Sequence, residues 1–329
     1  MAGTGNSTSN TSAIIRASVY SETILDEIIS GLYLPEGLHR DVSDFKDGDT
    51  LYIPTFGEVV LRDIVEDTDI PVDSVDTGQI TLSISEYVGA GNYLTDKIKQ
   101  DAYLLAEFEG SLVPKHLRAI RQRYETDLLA TVNDQTASDP NDINGYAHRF
   151  SANGTNGVLT IEDLIYAKLA LDKAEVPDEG RIAIVDPLVE GTLNSLTNIV
   201  NVSNNPMFEG MINTGFAKQM RFLKNIMGFD IYTSNRLPQV NSEALDTTGI
   251  TVPAPSGNTT ITSGVVNMFM CAADDLVTPF MGAWRQMPRT EGDRNVRKQR
   301  DEFYTTARWG FGLQRPQSII GVVTSRVNY

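Results

Sequence analysis

The chain has 329 residues, 41% hydrophobic and 21% charged, enough to bury a substantial core in one large or two medium domains. Its net charge of −16 argues against general nucleic-acid affinity, which needs clustered cations, while leaving room for local basic patches. No apolar run approaches the roughly 20 residues of a membrane span, residues 1–12 lack the features of a signal peptide, and a single cysteine, Cys271, rules out an internal disulfide.

Residues 1–12 are small and polar and read as a mobile start. Ile14 to Leu34 carries apolar residues at helical spacing and predicts a short helix closing near Gly31. From Asp47 to Asp96 the chain reads as extended structure. Leu51–Ile53, Glu58–Ile64 and Gln79–Ser85 are the strand pieces, and Ile80, Leu82 and Ile84 alternate with Thr81, Ser83 and Ser85 at the period of a half-buried strand. This segment holds eleven acids against Arg62 alone, a net −10 of the chain's −16. A hairpin this acidic has a weak claim to its own core and is expected to lie on a partner.

Gly89-Ala-Gly91 is read as a strand break. A long amphipathic helix is predicted from Lys97 to Val132, with one apolar face running from Leu104 through Ile120 and Tyr124 to Val132. Pro114 is expected to kink or divide it. Lys115 and Arg118 fall opposite the apolar stripe, Arg121 and Arg123 towards its flanks, and residues 115–123 contain no acid.

Turn-rich loops follow. Thr160-Ile-Glu-Asp163 has capping-box spacing with Asp in place of the usual Glu and predicts a helix to about Ala174. Arg181–Val185 reads as a strand, and Asp186-Pro187 as a helix start. Residues 198–215 read as loop, Ile226–Leu237 as strand, 241–264 as an insertion or loose hairpin, and Val265–Ala272 as a buried strand. The charged stretch Arg289–Glu302 reads as a solvated loop, followed by strands at Phe303–Leu313 and Ser318–Val323. Strands and helices mix without regular alternation, so the fold class is α+β.

Chemistry is sparse. His39, His116 and His148 are isolated in sequence, with no metal-ligand spacing among them. No phosphate loop, dinucleotide fingerprint or nucleophile elbow occurs. Asp274-Asp275 is an adjacent pair whose side chains point apart, so a loop or strand-end role outweighs acid/base work. Cys271 sits in an apolar run and reads as a buried, inert thiol. No cofactor, metal or membrane is expected, and the chain is read as a non-enzyme. The segregation of charge instead suggests pairing between subunits. The cations would be Lys115, Arg118, Arg121 and Arg123, and the acids Asp63, Glu66, Asp67, Asp69, Asp73 and Asp76. A second basic cluster, Arg285 to Arg300, is diluted by Glu291 and Asp293.

The order of segments resembles the major capsid proteins of tailed phages, with the Hong-Kong-97-type fold. The resemblance is carried by the acidic hairpin, Leu104-Leu-Ala-Glu-Phe108, Tyr124-Glu-Thr-Asp-Leu-Leu129 and Ile182-Ala-Ile-Val-Asp-Pro187. Gly228-Phe-Asp-Ile-Tyr-Thr-Ser-Asn-Arg-Leu-Pro238 and Phe303-Tyr-Thr-Thr-Ala-Arg-Trp-Gly-Phe-Gly312 complete it. It implies an N-terminal arm (1–46), an extended hairpin loop (47–96), a peripheral domain with a spine helix (97–157), an axial domain (158–295) and C-terminal strands returning to the peripheral domain (296–329). It implies a shell subunit forming hexamers and pentamers around double-stranded DNA, touched non-specifically, with a portal and a possible decoration protein. Such a subunit belongs to the virion capsid and is assembled in the host cytoplasm. Scaffolding is expected from a separate protein, because only about 45 residues precede the hairpin. The hairpin has no lysine, so a lysine-to-asparagine cross-link known in some relatives is not expected. The alternatives are a bacterial nanocompartment shell, a cytosolic α+β enzyme whose carboxylates converge in a pocket, and a tail or baseplate protein.

Overall fold

The computed structural model describes residues 37–43, 48–57, 77–101, 105–134, 142–195, 225–245, 250–256 and 260–327, with scattered positions between 58 and 76. The helix expected within Ile14–Leu34 and the loop 198–215 lie outside the described residues.

Two sheets organise the chain. The first has four strands: β1 (His39–Asp41), β4 (Glu86–Thr95), β13 (Phe280–Asn295) and β14 (Arg300–Leu313), in the order β1-β13-β14-β4. Strands β13 and β14 form one long antiparallel hairpin, β4 adds antiparallel to β14, and β1 adds parallel to β13. The charged stretch Arg289–Glu302, expected to be loop, is therefore mostly strand. An antiparallel sheet with one solvated face tolerates charges at alternate positions. Pro288, which cannot donate to a ladder, falls at the irregularity between Gln286 and Arg289.

The second sheet has seven strands. They are β7 (Arg149–Ser151), β8 (Arg181–Val185), β9 (Asn225–Ile226), β10 (Phe229–Thr233), β11 (Gln239–Ala244), β12 (Thr260–Cys271) and β15 (Ile319–Ser325). The order is β7-β15-β12-β8-β10-β9, with β11 beside the first part of β12. Strand β8 is buried throughout, and its side chains alternate between two cores: Ala183 and Val185 enter one, Ile182 and Ile184 the other. Short strands β5 (Asp142–Ile143) and β6 (Tyr146–Ala147) pair with each other.

The helices among the described residues are α1 (Asp96–Asp101), α2 (Leu105–Ala130), α3 (Ile161–Lys173) and α4 (Pro187–Ser195). Both predicted helix starts are present. The Thr160 amide donates to Asp163 Oδ2 at 2.8 Å, and the Leu188 amide to Asp186 Oδ2 at 3.1 Å. Helices α3 and α4 cover one face of the seven-stranded sheet with Leu164, Ala167, Leu171, Val189 and Leu193. The end of α2 covers the other with Leu128 and Leu129, while its middle, Ile120 and Tyr124, packs on the four-stranded sheet. One helix thus packs on both sheets.

Pro114 lies inside α2 and does not divide it. It sits on the exposed side, where water can satisfy the carbonyl that loses its donor. Gly89 and Gly91 do not break the chain either; β4 runs through both. A side chain at Gly91 would meet the Tyr304 ring of β14 at 2.7 Å, so the glycine makes room for an aromatic on the adjacent strand. Of the strand piece Glu58–Ile64, the described residues Leu61, Asp63 and Ile64 lie in no strand.

Sheet pairing does not follow the linear division at 157 and 295. Strand β13 shares a sheet with β4 and β14, while β15 joins β12 and β8.

Candidate assembly surfaces

The acidic segment begins as a two-stranded hairpin, β2 (Thr50–Phe56) against β3 (Thr77–Ser83), with Leu51 opposite Leu82 and Ile53 opposite Ile80. That register puts all four on one face, where they pack on Met281 and Ala283 of β13. The other face turns Tyr52 (61% exposed) and Phe56 (77%) to solvent. Beyond the strands, Leu61 is 93% exposed, and Asp63, Glu66, Asp67 and Asp69 are exposed with no ion pair among the described residues. Asp73 and Asp76 lie outside the described residues. Bare apolar groups beside unpaired like charges are a poor ending for an isolated monomer.

The helix cations separate into two kinds. Lys115 and Arg118 are exposed and have no ion pair among the described residues. Arg123 is already engaged within the chain, with Glu86 at 3.2 Å and Asp127 at 2.9 Å; their charges raise its pKa, Asp127 contributing most. Arg121 is half-buried and also has interactions within the chain. Sequence spacing groups these four. Burial and the position of β4 set two of them apart.

The other basic cluster is largely self-satisfied. Arg294 pairs with Asp96 at 2.7 Å and Asp301 at 2.9 Å, Lys99 also bonds Asp301, and these contacts tie the β13–β14 hairpin to the start of α1. Glu302 accepts from Tyr304 Oη and Arg300, which hold its carboxyl down at about 2. Arg297 and Lys298, at the hairpin turn, are exposed without an ion pair among the described residues.

Two polar groups join the parts of the fold. His116 of α2 bridges Asn92 Nδ2 (2.6 Å) and Thr305 Oγ1 (3.3 Å) on the sheet beneath it. Glu125 of α2 bonds Arg236 and, at 3.2 Å, Ser234 Oγ in the segment after β10. His148 is fully buried between β6 and β7, with Nε2 lacking a hydrogen-bond partner.

Burial holds the imidazoles of His116 and His148 below the ordinary histidine value. The unfolded chain takes up these protons near pH 6.5. The folded chain takes them up only at lower pH, so their contribution to stability is lost as pH falls through that window. The slope of unfolding free energy between about pH 7 and 5.5 is expected to be shallower in His148→Gln than in the native chain. Urea unfolding at each pH measures it, and equal slopes would remove His148 from the response.

No described group of three or more His, Cys, Asp or Glu residues is placed to hold a metal ion. Asp274 and Asp275 lie exposed in a turn, where the Asp274 carbonyl accepts from Val277 and Thr278. Cys271 is buried and its thiol is pushed up by that burial. No described helix is long and apolar enough to cross a membrane.

The family described as "Phage capsid protein" matches residues 47–322. No curated protein matches the sequence. Among solved structures, the capsid of cyanophage P-SCSP1u aligns over 89% of this chain and 88% of that one, at 16% identity and TM-score 0.60. The mature capsid of bacteriophage PhiM1 aligns over 89% and 87%, at 12% identity and TM-score 0.56. The capsid of Ralstonia phage GP4 aligns over 88% and 87%, at 10% identity and TM-score 0.54.

Proposed function

The chain belongs to the phage capsid protein family, and from that premise we propose how this structural shell subunit, which is not an enzyme, meets its neighbours. The hairpin β2–β3 reaches over an adjacent subunit, and its acids, Asp63, Glu66, Asp67 and Asp69 among them, face Lys115 and Arg118 of that neighbour's spine helix α2. The observation that carries this reading is the coincidence of unpaired exposed acids on one element with unpaired exposed cations on another. Asp73 and Asp76 extend the acidic set by sequence; Arg121 and Arg123 serve first within their own chain.

The four-stranded sheet with α2 forms the peripheral domain, and the seven-stranded sheet with α3 and α4 the axial domain that clusters at five-fold and six-fold axes. Each exposed ion pair contributes no more than about 1 kcal/mol. Repetition around a closed shell converts such contacts into a stable assembly, and complementary charge fixes register more than affinity. The shell encloses double-stranded DNA through non-specific contacts. Assembly takes place in the host cytoplasm with a separate scaffolding protein and a portal, and a decoration protein adds to a shell that has no hairpin lysine for cross-linking.

The test is charge reversal. Lys115→Glu with Arg118→Glu should leave the circular dichroism of the chain unchanged and abolish closed particles in negative-stain micrographs. Adding Asp63→Lys, Glu66→Lys and Asp67→Lys should restore them. Normal particles from the double variant would sink the pairing.

A further inference from the structure

We infer that Gly310 is the positioning residue that sets the direction in which the hairpin leaves the body of the subunit. The inference rests on the reading above that the hairpin meets a neighbour, and it concerns what aims it there. Strand β3 ends at Ser83 and β4 begins at Glu86, which pairs with Trp309 of β14. Residues 84 and 85 therefore form the corner between hairpin and sheet, and that corner lies on the next residue of β14, Gly310.

The approach is backbone on backbone. A β-carbon on Gly310 would overlap the Ser83 carbonyl oxygen and stand 2.8 Å from Ile84 Cα. Neither is the flexible end of a side chain, so neither can swing aside. Gly310 is not among the glycines with positive φ, so its own backbone conformation does not demand glycine; the demand is space alone.

The corner is held down from both sides. Leu82 and Ile84 are buried, and the Ile84 amide donates to the Asp49 carbonyl at 2.8 Å, closing the base of the hairpin. Gly312, one step along the same face of β14, leaves room for Leu82, whose Cδ1 would stand 3.3 Å from a β-carbon there. The Gly310-Phe-Gly312 sequence, which is no nucleotide loop, thus forms a seat for the hairpin. Strands of seven residues are about 23 Å long at 3.3 Å per residue, so a small rotation at the corner becomes a large displacement at the tip.

The experiment places nitroxide labels at Gln79→Cys on the hairpin and Thr126→Cys on α2, both exposed sites, and measures their separation in the unassembled chain. Cys271 is buried and leaves the introduced thiols as the reactive ones. Gly310→Ala should shift the mean separation by several ångström and abolish closed shells. Gly89→Ala, whose β-carbon meets ordinary contacts at 3.4 Å on Thr306 and 3.6 Å on the Thr305 carbonyl oxygen, should change neither. An unshifted separation in Gly310→Ala overturns the inference. A shifted separation with normal shells upholds the seat and overturns the reading that hairpin direction governs assembly. Should Gly310→Ala fail to fold, a single glycine inserted between Ser85 and Glu86 loosens the corner without touching β14. That insertion should broaden the distance distribution, and an unchanged narrow distribution overturns the inference equally.

Discussion

Replacing Trp309 with alanine is expected to cost about 3–5 kcal/mol of folding free energy, enough to unfold much of the chain under mild conditions. The Trp309 side chain is fully buried in β14, at the joint between α2 and the four-stranded sheet. Its ring lies edge-on to Tyr124 at 5.5 Å and to Trp284 at 5.3 Å, and Tyr124 stacks on Trp284 at 4.6 Å. Aromatic pairs of this kind add about 0.5–1.5 kcal/mol each beyond the area they bury. The indole Nε1 also donates to Asp127 Oδ2 at 3.2 Å, so truncation leaves a cavity and takes a donor from a half-buried carboxylate. Urea unfolding of the unassembled chain measures the loss. A change below about 1 kcal/mol would mean that the helix is held to the sheet by other contacts.

Arg236→Ala should be nearly as costly, about 3–5 kcal/mol, for a different reason. Glu125 is only 3% exposed, and Arg236 is its charged partner, with Ser234 as a second donor. Removing the arginine strands a charge in a place that water does not reach. Most of the loss is that desolvation rather than the worth of the pair itself. The pairing therefore predicts its own rescue: Glu125→Gln combined with Arg236→Met should recover most of the stability lost by Arg236→Ala, read in the same unfolding experiment. A double variant as unstable as Arg236→Ala alone would mean that Arg236 acts through its other contacts.

The fold is that of the phage capsid subunits it matches, consistent with the Hong-Kong-97-type architecture implied by the order of segments. Signals confined to a few consecutive residues are legible in the chain itself. The alternation in Gln79–Ser85, the cap at Thr160-x-x-Asp163 and the Asp186-Pro187 start all correspond to observed elements. The two helix starts are local matches of side-chain chemistry to backbone hydrogen bonding, and the alternation marks which side of the strand is buried whatever its partner. Gly89, Gly91 and the stretch Arg289–Glu302 depart from their local signals for the opposite reason. Their strands exist because β14 lies between β4 and β13, and glycine or charge is tolerated where a sheet face is open or covered by a neighbour's ring.

The assembly surfaces divide in the same way. Charge can be counted along a chain, so the concentration of acid in one extended segment and of base on one helix is legible before any folding. Which of those charges remain available follows from packing. Arg123 is spent on Glu86 because β4 runs beside the helix, while Lys115 and Arg118 are exposed and make no ion pair with a described acid. Packing likewise brings Gly310 against the backbone of Ser83 and Ile84, far earlier in the chain, because close approach of two backbones is a property of space and leaves no period in the sequence.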